Sequence, residues 1–278
     1  MMTAMLVAVN MLLGTVEADT FTMDYLRFGN GARNLVIIPG VSIQSVMNYS
    51  EAIAESYKLL TDEFTIYVLD RRKDMPDTYT VDDMARDTAE AIKALKLERV
   101  SIFGASQGGM IAMKIAVEYP ELVESMILGS TSARVTQESC DRIFAGWVNL
   151  AKAGKTEELY LSFGKAVYPE SVFEQSREMM IEAAKTVTPN DLKRFITITE
   201  GMKGFDVTGD LHKIKCPVLV IGSNDDKVLG GEASVQIMEA LKGRPNCEMF
   251  MYDGYGHAVY DLAPDYRERM LKFFVSSR

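Results

Sequence analysis

Arg99-Val100-Ser101-Ile102-Phe103-Gly104-Ala105-Ser106-Gln107-Gly108-Gly109-Met110 is the stretch on which the reading of this chain turns. Residues 99–103 have strand-forming character and run into a turn with glycine on both sides of a serine. An apolar segment of helical period, residues 110–117, runs out of it. A serine held at so sharp a strand-to-helix turn takes a strained backbone conformation, and the residues two before and two after it must be small or they collide. Gly104 and Gly108 meet that demand, and Gly109 gives further clearance for close packing of helix on strand. The bland alternative is a glycine-rich turn with an incidental serine.

Outward from this turn the same rhythm recurs. Short apolar runs lie at 34–38, 64–69, 125–128, 217–221 and 248–252, rich in Val, Ile, Leu or aromatic residues. Near-continuous apolar runs are expected of strands covered on both faces, as in a parallel sheet. Between them, residues 81–97 carry an apolar stripe behind Thr80 as a candidate cap. Such alternation predicts a doubly wound, mostly parallel α/β sheet. From 132 to 209 the strand signal is absent and helical patches take over at 137–153, 156–167, 171–187 and 189–203. The simplest layout is a core at 1–131, a helical cap at 132–209 and a second part of the core at 210–278. An insertion leaving the carboxyl edge of such a sheet sits over the crevice where ligands bind, so it reads as a lid.

Composition narrows the function classes. In 278 residues, 47% hydrophobic and 25% charged is the balance of an ordinary globular protein, which excludes disorder and collagen-like structure. A chain of this length needs neither disulfide nor metal to hold its core. With 30 Lys+Arg against 39 Asp+Glu, the net charge of −9 argues against a nucleic-acid partner. The one dense basic run, Arg71-Arg72-Lys73, is closed off by Asp70 and Asp74. Cys140, Cys216 and Cys247 are dispersed and form no C-x-x-C pair, which fits a reducing, cytoplasmic setting. The apolar segment 5–13 has no preceding Lys or Arg and is too short to span a bilayer, so it reads as an N-terminal strand or packed tail. A small molecule is the expected partner; monomer and homodimer both stay open.

A serine hydroxyl is a poor nucleophile and needs a base within hydrogen-bond reach. Of the two histidines, His212 lies before the 217–221 run and reads as a surface residue. His257, in Gly254-Tyr255-Gly256-His257-Ala258, follows the last apolar run and should share the carboxyl edge with Ser106. An imidazolium forming there needs a carboxylate beside it. Gly222-Ser223-Asn224-Asp225-Asp226 offers two, and their spacing leaves both open. An oxyanion needs backbone N–H donors, for which Gln107 at a helix start and Val41 in Pro39-Gly40-Val41 are the candidates. Trp147, Met179, Met180 and Phe195 are candidate substrate contacts beneath the insertion, although a Met at helical spacing also suits plain core.

At these residues the chain resembles the α/β-hydrolases that carry a helical cap, from about residue 20 to its end. The order serine, aspartate, histidine is theirs. Gly104 to Gly109, Tyr119-Pro120-Glu121-Leu122-Val123, Gly222-x-x-Asp225 and Gly256-His257-Ala258 fall in the family's positions. The family's G-x-x-D pattern selects Asp225 over Asp226 as the acid. The resemblance implies an enzyme with no metal or organic cofactor. It would cleave a small apolar carboxylic ester, or an amide or thioester, through Ser106, His257 and Asp225 by way of an acyl-enzyme. Acyl transfer, peracid formation and carbon–carbon hydrolysis use the same triad, and a ligand-binding protein on this fold is the non-enzymatic alternative. Two departures stand out. Pro39-Gly40 replaces the usual His-Gly, which removes a side chain but no backbone donor, and Asp70-Arg71-Arg72-Lys73-Asp74 lacks the glycines of the family's Asp-x-Arg-Gly-x-Gly-x-Ser loop.

Overall fold

Side chains alternate across a strand, and that alternation explains why the apolar runs are unbroken. In the computed structural model, which describes residues 11–277, Val36 and Ile38 enter one core while Leu35 and Ile37 enter another on the opposite face. Val100 and Ile102 divide from Phe103 and Ala105 in the same way, and Val218 and Val220 from Leu219 and Ile221. Both faces are covered, so apolar residues follow one another along such a strand without alternating.

The strands are β1 (Leu12–Glu17), β2 (Thr22–Phe28), β3 (Arg33–Ile38), β4 (Phe64–Arg72), β5 (Val100–Ala105), β6 (Val123–Gly129), β7 (Val218–Ser223) and β8 (Cys247–Tyr252). They form one sheet in the order β1-β2-β4-β3-β5-β6-β7-β8. From β4 to β8 the pairing is parallel, whereas β1 with β2 and β2 with β4 pair antiparallel. The sequence reading missed β1 and β2 as a pair. β2 buries Met23, Leu26 and Phe28 between half-exposed residues, with a register shift between Met23 and Tyr25, and β1 is mostly exposed. Neither makes an apolar run. Of the segment 5–13, residues 5–10 lie outside the described residues, and Leu12 and Leu13 open β1.

The helices are α1 (Ser50–Ser56), α2 (Val81–Ala94), α3 (Gln107–Glu118), α4 (Gln137–Ser139), α5 (Ala145–Lys152), α6 (Thr156–Val167), α7 (Glu170–Ala184), α8 (Pro189–Glu200), α9 (Gly231–Ala240), α10 (Val259–Leu262) and α11 (Tyr266–Ser276). Thr80 caps α2, its hydroxyl accepting the Asp83 N–H at 3.2 Å. The helix stops short of residue 97 because Lys96 turns to a φ of 59°. α4 to α8 all lie in the segment joining β6 to β7. That segment leaves and returns at one point, where the Val135 N–H donates to Phe205 O and the Val207 N–H to Ala133 O, both at 2.8 Å. Phe144, Trp147, Phe163 and Phe195 stack in succession, with centroid separations of 5.8, 4.7 and 6.4 Å, and join these helices to the sheet's own core.

From β3 the chain moves to β4 on one side, and from β5 to β6 on the other. The order therefore reverses between β3 and β5, where an open α/β sheet forms its ligand crevice. Gly40 follows β3 and Ser106 follows β5, so both reach that crevice. No helix among the described residues is long and apolar enough to cross a membrane.

Candidate active site

Ser106 sits at φ 52° and ψ −121°, a backbone conformation that costs a non-glycine residue on the order of 1–3 kcal/mol. Its surroundings hold it there. The Ser106 N–H donates to Gly129 O at 2.8 Å, and the Thr131 hydroxyl donates to Ser106 O at 2.6 Å. The flanking glycines supply empty space. A Cβ on Gly104 would lie 2.4 Å from Gly108 O, and one on Gly108 only 1.9 Å from Ile38 O.

His257, on the loop after β8, brings Nε2 to 2.9 Å from Ser106 Oγ. Its Nδ1 lies 2.8 Å from Asp226 Oδ2, and both side chains are 3% exposed. Asp226 Oδ1 accepts the Val228 and Leu229 N–H groups at 2.8 and 3.1 Å. Burial pushes the Asp226 carboxyl up, but His257 and those two N–H groups outweigh it and hold the group below its ordinary value.

Asp225, expected beside His257, is not there. Its carboxylate turns to the neighbouring loop, Oδ1 accepting from Ser223 Oγ at 2.6 Å and Gly254 N–H at 2.9 Å, and Oδ2 from Gly256 N–H at 3.0 Å. Gly254 and Gly256 have φ of 83° and 64°, which lets their N–H groups converge on one carboxylate. Burial raises the Asp225 carboxyl, and Ser223 with the two glycine N–H groups more than offsets this, leaving it below its ordinary value. Consecutive side chains diverge in the turn after β7, so only one of the two carboxylates can face His257. Asp225 braces the loop on which His257 rides. His212 is exposed in the 3-10 turn Thr208–Lys213, as expected.

Gln107 is the buried first residue of α3, and Val41 lines a small cavity together with Ser106 and His257. Gly40 lies against the serine, since a Cβ there would come 3.0 Å from Ser106 Cβ.

Arg71 was missed as a site residue. At the end of β4 it is 3% exposed, and its Nη2 donates to Pro39 O at 2.8 Å and to Gln107 Oε1 at 3.0 Å. Gln107 Nε2 in turn donates to Ile198 O of α8 at 2.6 Å. One guanidinium thus ties the turn bearing Val41 to the residue after Ser106, and through it to the helical insertion. Burial lowers Arg71 to about 10, against the pull of Asp70. The signal was a charged strand end, read as a basic run closed off by Asp70 and Asp74. Asp70 is also engaged, accepting from Ser45 Oγ at 2.5 Å and pairing with Arg194 of α8.

The small cavity, about 30 Å³, has Trp147, Met202 and Val228 among its walls. A second cavity of about 600 Å³ adjoins it, sharing Val41, Phe163 and Tyr260. Met179 and Met180 line the larger one. Phe195 lines neither: it is fully buried behind Phe163, a correction to its expected role.

A family model described as serine aminopeptidase, S33, matches residues 71–261, well over half of the chain. A protein of Rhizobium rhizogenes provisionally named a carbamate hydrolase, RutD, is 27% identical over 233 residues, covering 79% of this chain and 86% of that protein. The human serine hydrolase BPHL is 23% identical over 223 residues, covering 77% of this chain and 70% of that protein. Among solved structures, MGS-M2, an α/β-hydrolase enzyme from a Medee basin deep-sea metagenome library, superposes with a TM-score of 0.84 at 22% identity, covering 95% of this chain and 98% of that one. That likeness establishes the fold, and the family match goes further: the chain belongs to the α/β-hydrolase family described as serine aminopeptidase, S33, and is a hydrolase.

Proposed function

We propose that this hydrolase cleaves a small-molecule carboxylic ester through Ser106, His257 and Asp226, by way of an acyl-enzyme. The observation that carries the reading is the unbroken path from Ser106 Oγ to His257 Nε2 at 2.9 Å and from Nδ1 to Asp226 at 2.8 Å, built on a strained serine. Ser106 Oγ attacks the carbonyl carbon as His257 Nε2 takes its proton, and the π pair moves to the carbonyl oxygen. Backbone N–H groups of Val41 and Gln107 receive that oxyanion. The pair then reforms the carbonyl, the bond to the leaving oxygen breaks, and His257 protonates it as alcohol. Water repeats the cycle, giving acid and free serine. Asp226 keeps His257 in the tautomer that presents Nε2 and stabilises its charged form. The helical insertion acts as the cap over this site.

The Rhizobium relative's named carbamate would be attacked at its carbonyl in the same way. The large apolar cavity favours an ester of an apolar acid over so small and polar a molecule. Cys140, Cys216 and Cys247 are all free, which suits the reducing cytoplasm we assign.

A fluorophosphonate probe tests the reading. Rapid mass gain on the Ser106 peptide is expected, absent in Ser106→Ala and nearly absent in His257→Ala, with both variants melting as folded proteins. Folded wild-type protein that resists the probe, or a Ser106→Ala variant with near-normal esterase activity, would overturn it.

A further inference from the structure

The two cavities meet at Val41, Phe163 and Tyr260 and differ in the core they reach into. The small one is walled by Phe144, Trp147, Met202 and Val228, all from the core shared with the insertion. The large one reaches down to Ile37, Val68, Phe103 and Ala105, which point from β3, β4 and β5 into the other core. Ala105 directly precedes Ser106, whose side chain belongs to the small cavity. Ser106 and His257 both line the small cavity, and neither lines the large one.

That asymmetry assigns the two halves of an ester. His257 Nε2 must hand its proton to the leaving oxygen, so that oxygen and whatever it carries lie on the His257 side. A cavity of about 30 Å³ holds about two water-sized groups. The other substituent of the carbonyl carbon points away from His257, toward the opening framed by Val41, Phe163 and Tyr260. Beyond it lie about 600 Å³, well within the range that takes a drug-sized ligand.

The polar groups of the large cavity restrict what enters. Tyr160 OH donates to Gln44 Oε1 at 2.7 Å and Gln44 Nε2 to Thr186 Oγ1 at 3.3 Å, so these satisfy one another. Among the described lining residues there is no Lys or Arg, and Asp261 is the one acid. Arg267 stands 3.9 Å from Asp261 but is held by Ser56 Oγ at 2.6 Å and does not line the cavity. A second carboxylate on the acyl chain would meet Asp261 with no countercharge within the cavity.

Resting on the serine-hydrolase reading, we infer that the large cavity is the acyl site and the small one the leaving-group site. The substrates are then methyl- or ethyl-sized esters of bulky, uncharged aryl or alkyl acids.

Two isomers test this at constant atom count: methyl 3-phenylpropanoate, with its ring on the acyl side, and 2-phenylethyl acetate, with its ring on the alcohol side. The first is expected to have a kcat/KM at least about tenfold higher, because a misfit of several methylenes far exceeds one. Ala183→Trp, which fills the large cavity, should bring the ratio toward unity with folding checked by its melting curve. Methyl pentanoate should likewise outrun monomethyl glutarate by about tenfold or more. Equal rates for the isomers, or the reverse order, overturn the assignment. If neither isomer turns over while the fluorophosphonate still labels Ser106, the acyl-site inference falls and the hydrolase reading stands; if labelling fails too, both fall.

Discussion

The turns after β5 and β7 each present a side chain of the proposed triad at the carboxyl edge of the sheet, but they fix it by different means. After β5 the control is steric. Gly104 and Gly108 are places where a Cβ would lie within 2.4 Å of a backbone atom, and the serine is strained because nothing else fits. After β7 the control is by hydrogen bonds. Asp226 is fixed by two N–H groups of its own turn and by His257, while Asp225 is fixed by N–H groups of the loop after β8. A sterically fixed residue is recognisable from its immediate neighbours, whereas one fixed by hydrogen bonds depends on donors that arrive from far along the chain.

The sharpest way to break this comparison is at the acids. Asp226→Asn should lower kcat by about ten-thousandfold with little change in fold, because it reverses the tautomer preference of His257; steady-state kinetics and the fluorophosphonate rate read it. Next is the steric turn. Gly108→Ala drives a Cβ against Ile38 O, and a loss of roughly 3 kcal/mol or more in urea unfolding is expected. Arg71→Met removes the donor to Pro39 O and Gln107 Oε1 and should lower kcat about 10- to 100-fold while KM moves less. Partial recovery in Arg71→Lys would separate its bonds from its bulk.

The smallest effect is Asp225→Asn, expected to stay within about tenfold of wild-type kcat, since its carboxylate touches the loop and not the imidazole. Its signature is acid sensitivity. The Asp225 carboxyl is depressed in the folded state, so the stability it contributes is present above the ordinary carboxylate value of about 3.9 and is lost as pH falls through the folded value. Urea midpoints measured from pH 6 down to pH 3 should fall less steeply in Asp225→Asn. Should Asp225→Asn instead match Asp226→Asn in lost activity, the division of labour between the two would be refuted.

What could be read in advance follows from the same physics. β3 to β7 were visible because both faces are buried, β8 because its run is apolar although mostly not buried, and the serine turn because its glycines are close in sequence. β2 was not, since one-sided burial and a register shift break its pattern. The count G-x-x-D pointed to Asp225, but β7 runs to Ser223 and the divergence of the next side chains depends on Gly254 and Gly256, three decades of residues away. Phe195 was placed on the right helix, yet only the layering of Phe163 over it decides that it lines neither cavity. Arg71 did not stand out because a buried guanidinium has no sequence mark, and its partners are a carbonyl and an amide.

The paired segments at 133–135 and 205–207 carry a consequence for how such a protein diversifies. They close the insertion like a drawstring, so the sheet on either side has its register whatever the insertion contains. Once a loop's ends are held together, doubling its length adds only about 0.6 kcal/mol of closure entropy. Helices over the cavities can therefore be lengthened, replaced or exchanged between lineages at modest thermodynamic expense, while Ser106, Asp226 and His257 inherit an unchanged frame.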